Sequence, residues 1–297
     1  MRETALVSLI QTLALRYPAT SKMLQGIGDD CAVFQASPRE DWVFTSDFLL
    51  EDRHFERDTH SAAEVGHKAL ARSLSDLAAM GTEPLFCLVS LAVPAAFTSR
   101  WAKAFYGGLL NLAAQHRITL AGGDLARFDQ IVIDVMCCGR VPHGKALLRS
   151  GARPGDGIYV TGELGASAAG LRTRRGLNWK RHRRPEPRVA AGLILGRLGV
   201  SSCMDLSDGL SLDLMRLCRA SKVGAELDGQ LPIAKGATLD EALHGGEDYE
   251  LLFTAAKRLP KQIAGLSITR IGTVRSGPAL IRLNDRPLKE AGFDHFS

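Results

Sequence analysis

The chain has 297 residues, 45% hydrophobic and 23% charged, ordinary globular values in a length that favours two domains and a sizeable core. Its formal charge of +5 is concentrated: residues 172–188 carry eight Lys/Arg against one Glu, a local +7, which leaves −2 for everything else. That distribution excludes a uniformly basic nucleic-acid binder, and the composition excludes long disorder.

The N-terminal segment spaces Leu6, Leu9, Ile10 and Leu13 along one face of an amphipathic helix. It lacks the continuous apolar core and cleavage site of a signal peptide. Residues 42–46 read as a strand running into Asp47, and residues 64–80 as a helix stopped by Gly81. Leu70, Leu74 and Leu77 line one side of that helix. Lys68, Arg72 and Asp76 follow at i, i+4 and i+8 on another, so a rigid element holds Asp76 away from the leucine stripe. Residues 86–93 read as a strand, 101–116 as a helix, 118–121 as a strand delivering Gly122-Gly-Asp124, and 131–138 as a further strand. The most apolar stretch, 85–97, contains Pro94 and is too short to span a bilayer.

Around residues 149–157 the composition turns to Gly, Pro and Arg, which divides the chain into domains 1–148 and 149–297. A second α/β set follows. Residues 158–161 form a strand opening into Gly162-Glu-Leu-Gly165 and a helix; 189–198 and 210–220 read as helices, and 249–254 and 268–274 as strands. Residues 280–288 read as a hairpin around Asn284-Asp285. The fold class is therefore α/β (α+β). Six cysteines, at 31, 87, 137, 138, 203 and 218, form no C-x-x-C pair and no zinc spacing. They read as buried reduced thiols, which suits a soluble protein of the cytoplasm.

Aspartate recurs in short Gly/Ser/Thr words: Gly26-Ile-Gly-Asp-Asp30, Thr45-Ser-Asp47, Leu74-Ser-Asp76, Ala121-Gly-Gly-Asp124, Asp205-Leu-Ser-Asp208 and the acidic Gly245-Gly-Glu-Asp248. Any one of them is ordinarily a turn or a helix cap, and Asp205 and Ser207 are suited to cap the helix that follows. Together, at strand and helix ends of one α/β architecture, they point to a shared wall of carboxylates. Divalent metal, Mg²⁺ above all, neutralises such a wall and bridges it to substrate phosphates. Gly139-Arg-Val-Pro-His-Gly-Lys-Ala146 matches a phosphate-binding P-loop until Ala146, which lacks the metal-holding hydroxyl, and Gly151 and Pro154 leave little room for the required helix. Arg149, at the domain junction, is either a surface group or a phosphate clamp. His54 is open between a structural, a metal-ligating and a substrate-binding role, the structural one leading. The basic run 172–184, which contains Trp179, reads first as a solvated, mobile loop and second as an RNA contact.

In their order, these words resemble the thiamine-monophosphate kinase family. The resemblance runs from Gly26-Ile-Gly-Asp-Asp30 through Thr45-Ser-Asp47, His54-Phe55, Leu74-Ser-Asp-Leu-Ala-Ala-Met-Gly81, Gly122-Gly-Asp124, Arg149-Ser-Gly, Asp205-Leu-Ser-Asp-Gly209 and Gly246-Glu-Asp-Tyr-Glu-Leu251 to Phe293-Asp-His-Phe296. It implies a two-domain fold like that of aminoimidazole ribonucleotide synthetase, in a cytoplasmic homodimer whose N-terminal sheets pair, with the active site between domains. The implied reaction moves the ATP γ-phosphate onto thiamine monophosphate. By the same resemblance Asp30, Thr45, Ser46, Asp47, Asp76, Asp124, Asp205 and Asp208 correspond to ligands of several Mg²⁺ ions. Tyr106, Gly123, Asp124, Arg149 and Ser207 correspond to ATP contacts, and His54, Glu247 and Phe293 to substrate contacts. Cys31 stands where the family often has Ala, and Phe293 where many members have Trp or Tyr, keeping an aromatic face without a polar handle. The implied nucleophile is a phosphate oxygen already ionised at neutral pH, so no general base is expected. Two alternatives remain: another ATP-using synthetase of the same superfamily, and an RNA-binding protein using residues 172–184.

Overall fold

A computed structural model of the chain describes residues 3–16 and 20–293. Asp294-His-Phe296, the end of the resemblance, lies outside the described residues.

The N-terminal part contains α1 (Glu3–Ala14), β1 (Met23–Gln25), β2 (Ala32–Gln35), β3 (Glu40–Leu50), α2 (Ala62–Ala79), β4 (Glu83–Val93), α3 (Ser99–His116), β5 (Thr119–Arg127) and β6 (Val132–Pro142). Its sheet runs in the order β1-β2-β3-β6-β4-β5. Neighbours are antiparallel except β4 and β5, which are parallel and joined by α3, the crossover a parallel pair requires. Strand β3 alternates: Asp41, Val43, Thr45 and Leu49 are buried while Trp42, Ser46 and Phe48 are exposed. Thr45 and Asp47 therefore share the helix-covered face, and Ser46 faces away from it.

Helix α2 begins at Ser61, whose hydroxyl accepts from the Glu64 amide while the Glu64 side chain accepts from Ser61, a closed capping box. Two glycines set its crossing with α3. A Cβ on Gly66 would lie 2.0 Å from the Phe105 carbonyl oxygen, and one on Gly108 1.9 Å from that of Ala63. The leucine stripe packs on the sheet, yet α2 is buried on its other side as well, because helix α6 (Val189–Leu198) and strand β8 (Ser202–Asp205) of the second part cover it. This second contact carries Ser75 and Asp76 against the C-terminal part.

That part contains β7 (Gly157–Thr161), α4 (Ala166–Thr173), α5 (Gly176–Arg183), α6 (Val189–Leu198), β8 (Ser202–Asp205), α7 (Leu210–Ser221), β9 (Gly224–Leu227), α8 (Leu239–His244), β10 (Leu251–Ala255), β11 (Gln262–Ile263), β12 (Leu266–Arg275), β13 (Ile281–Leu283) and β14 (Arg286–Pro287). The sheet order is β14-β13-β9-β12-β7-β10-β8, with β11 on β12. Asn284 and Asp285 both take positive φ, 50° and 64°, as a two-residue hairpin turn between β13 and β14 requires. The six cysteines are free and buried. Among the described residues no helix is long and apolar enough to cross a membrane.

Three local expectations change. Gly122-Gly-Asp124 lies inside β5, not at its end, because these residues pair with Leu88, Val89 and Ser90 of β4. The basic run is no mobile loop: it forms the end of α4 and α5, with Trp179 and His182 buried. Carboxylates neutralise it, Arg174 pairing with Glu56, Arg181 with Glu163 and Arg183 with Glu64 at 3.0, 2.7 and 2.7 Å. Asp205 and Ser207 do not cap α7. Buried Asp213 accepts from the amides of Asp208 and Gly209, each at 3.0 Å, and takes that task from inside the helix.

Candidate active site

A cleft of about 1110 Å³ opens between the two parts of the chain. Its walls come from the turn before β2, residues 44–47 of β3, α2, α4 and α5, the turn before α7, and residues 246–247 and 249. Asp30, Thr45, Ser46, Asp47, His54, Asp76, Arg149, Asp205, Ser207, Asp208, Glu247 and Phe293 all line it.

At one end the carboxylates of Asp30, Asp76 and Asp205 converge, with one oxygen of each within 4.8 Å of the others. They arrive from the turn before β2, from the body of α2 and from the end of β8. Thr45 Oγ1 donates to Asp76, and Ser75 Oγ donates to Asp205 Oδ2 at 2.7 Å. Arg149 reaches Asp30 Oδ1 with Nη2 at 2.6 Å and Nε at 3.2 Å, while its amide donates to the Asp29 carboxylate. The other oxygen of Asp30, Oδ2, is buried without a hydrogen-bond partner. Burial, then repulsion from neighbouring aspartates, holds the carboxyls of Asp76 and Asp205 well above their usual range. Burial and the adjacent Asp30 push Asp29 up to about 7. Like charges packed this closely away from water ionise together only when a cation joins them. The donor set is all hard oxygen and includes a buried oxygen without a partner, so it fits Mg²⁺. Nearby, Asp47 lies 3.9 Å from Arg72, and Asp208 pairs with Arg216 at 2.5 Å.

Farther along the cleft the charges are paired. Fully buried Lys68 donates from Nζ to Glu247 Oε2 and to the His54 carbonyl, both at 2.9 Å. One turn along α2, Arg72 donates to Glu247 Oε1 at 3.2 Å. Burial alone would raise the Glu247 carboxyl, but Lys68, His182 and Arg72 outweigh it and bring it down to about 2. Glu247 and Tyr249 take φ of +63° and +51°, a left-handed conformation that costs side-chain-bearing residues energy and collects at functional sites. The rings of His54 and Phe293 lie 6.3 Å apart at this end.

The cleft does not take in all the residues named from the sequence. Tyr106 on α3 and Gly123 and Asp124 on β5 lie off it. Asp124 is exposed on the sheet's edge strand and accepts from the Leu125 amide at 2.9 Å. Ser46 lines the cleft, but its hydroxyl donates to Asp134 on β6 at 2.6 Å. In turn, the structure brings in residues the sequence words left without a role. Lys68 and Arg72 were legible in principle, since their helical spacing puts them in line with Asp76. Asp213, Arg216 and the ring cluster of His60, Trp179 and His182 carried no such signal.

Two family models cover the chain: AIR synthase related protein, N-terminal domain, over residues 28–141, and AIR synthase related protein, C-terminal domain, over residues 153–280. The chain is 36% identical to thiamine-monophosphate kinase of Bacillus subtilis (strain 168), over 97% of this chain and 98% of the relative. With that of Escherichia coli (strain K12) it shares 37% identity, over 92% of each. Its structure superposes on that of AaThiL complexed with AMPPCP and TMP with a TM-score of 0.87 at 29% identity, covering 99% of this chain and 97% of the other. For the thiamine-monophosphate kinase of Stenotrophomonas maltophilia K279a the TM-score is 0.77 at 35% identity, covering 96% and 98%. By sequence over nearly its whole length and by fold, the chain belongs to the thiamine-monophosphate kinase family of AIR synthase related proteins.

Proposed function

We propose that this protein transfers the γ-phosphate of ATP directly to thiamine monophosphate, giving thiamine diphosphate and ADP. The observation that carries the reading is the convergence of Asp30, Asp76 and Asp205 from both parts of the chain at one end of a cleft. Family membership supplies the substrate class. In this reading residues 1–148 and 149–297 are the two domains, and the second completes the cleft. Asp30, Asp76 and Asp205, with Asp47, Asp208 and Thr45 beside them, hold more than one Mg²⁺ ion. Bound there, the ions neutralise and align phosphate oxygens. Arg149 and Ser207 serve the nucleotide, while His54, Glu247 and Phe293 serve the thiamine half. The protein's own task is positioning: it holds two anionic reactants in line within the cleft. The acceptor phosphate oxygen is ionised near neutral pH, so no side chain need remove its proton.

The same reading includes a homodimer. The outer face and edge of the N-terminal sheet expose Phe48, Leu125 and Phe128 at 58, 73 and 53%, which supports burial against a second copy. Tyr106, Gly123 and Asp124, off the cleft of their own chain, then serve the cleft of the partner. Protein incubated with ATP, Mg²⁺ and thiamine monophosphate is expected to form thiamine diphosphate, and absence of product contradicts the reading. With a chiral, isotopically labelled γ-phosphorus the product is expected to show inversion; retention would sink direct transfer.

A further inference from the structure

Lys68 is left without a task by the transfer reaction itself, yet it holds an expensive position. An ammonium with no solvent exposure costs more than the apolar residues around it on α2, unless what it joins matters. It joins two groups far apart in sequence: the main chain at His54, 14 residues before it, and the carboxylate of Glu247, 179 residues after it. Both line the cleft, one from each part of the chain. Glu247, like Tyr249, takes a left-handed backbone, which persists only where surrounding contacts over-determine it. Arg72 holds the other oxygen of Glu247 but also approaches Asp47 at 3.9 Å, so it links the two ends of the cleft. The hydrogen bonds of Lys68 go to the organic end.

We propose that Lys68 is a positioning residue for the organic half of the substrate: its ammonium locks Glu247 and the His54 loop into one frame that sets how the cationic heterocycle is held. The inference rests on the reading of this cleft as a thiamine monophosphate site. Its consequence is selective. Thiamine monophosphate presents a permanently cationic thiazolium ring and a separate anionic phosphate. A misplaced Glu247 weakens the grip on the ring and leaves the nucleotide and metal end as it was. KM for thiamine monophosphate then rises, while nucleotide affinity and kcat at saturation stay close to those of the native protein.

The test uses the full-length protein after its kinase activity has been measured. Lys68→Met is expected to raise KM for thiamine monophosphate at least about tenfold, with kcat within about threefold and the affinity for a non-hydrolysable ATP analogue unchanged. Because Lys68 acts through Glu247, the double variant Lys68→Met/Glu247→Gln should show a KM no higher than Glu247→Gln alone. Should Lys68→Met fail to fold, Lys68→Gln/Glu247→Gln, which leaves no unpaired buried charge, is compared with Glu247→Gln on the same two axes. A KM for Lys68→Met equal to that of the native protein overturns the inference, and so does a KM in either double variant above that of Glu247→Gln alone, or an equal loss of nucleotide affinity. A native protein that makes no thiamine diphosphate overturns the functional reading first, and the inference with it.

Discussion

The two ends of the cleft balance buried charge in opposite ways. Asp30, Asp76 and Asp205 face one another with Arg149 on one of the three, and burial resists their joint ionisation. Glu247 sits between Lys68 and Arg72 and is fully ionised before any ligand arrives. On the reading proposed above, the first end receives its counter-charge from solution. The second is pre-organised, with its counter-ions folded into α2. A site that must bring two polyanions together needs the first, and a site that must hold one cationic ring in a fixed place gains from the second.

Substitutions at the two ends should therefore diverge. Asp76→Asn is expected to lower kcat by about 10³-fold, the order found on removing one pre-organised electrostatic group, while the metal-free protein melts no lower than the native one. Equal turnover in the variant would break the contrast. Glu247→Gln should act in reverse. It leaves Lys68 buried and unpaired, and urea unfolding is expected to show a loss of about 3 kcal/mol, with a raised KM for thiamine monophosphate. An unaltered unfolding midpoint would show that the pair is not balanced within the fold.

The pH dependence of stability sharpens the same comparison. Burial, then the neighbouring Asp30, raises the Asp29 carboxyl from the ordinary carboxylate range to about 7, and burial raises Asp76 and Asp205 in the same direction. Across that window the folded state binds more protons than the unfolded state, so stability is greatest below about pH 4 for these groups and is lost as pH rises through 7. Without metal, the melting temperature should fall between pH 5 and pH 8. Glu247, lowered to about 2, has the opposite sign, contributing above the usual carboxylate range and losing its contribution only in strong acid. A metal-free melting temperature that rises over that interval would contradict the account of the acidic end. The smallest effect is expected at the basic segment. Arg174 and Glu56 are half exposed, so Arg174→Ala should cost less than about 1 kcal/mol and leave turnover within about twofold. Steeply salt-dependent RNA binding that this segment carries would revive the rival reading.

Much of this was legible in the sequence, for local reasons. The 3.6-residue spacing of Leu70, Leu74 and Leu77 fixes α2, and Asn284-Asp285 marks its hairpin because both residues tolerate positive φ. The acidic words identified the carboxylates of the cleft, since Asp beside Gly or Ser at an element end is a local pattern. What was not legible depends on partners distant in the chain. The basic run looked mobile because its neutralising residues, Glu56, Glu64 and Glu163, lie outside it. Lys68 looked like one more helix cation until the fold set Glu247 against it. Asp124 looked like a member of the same wall, but it lies within β5, exposed on the edge strand of the sheet and off the cleft.

On the proposed reading, divalent cations complete the acidic end. The most direct test is the melting temperature at pH 8 with and without millimolar Mg²⁺, in the native protein and in Asp76→Asn. The native protein should gain several degrees in a saturable manner, as expected for a ligand that binds the folded state alone, and Asp76→Asn should lose most of that gain. An equal gain in both proteins would contradict the assignment of Asp76 to the cation site.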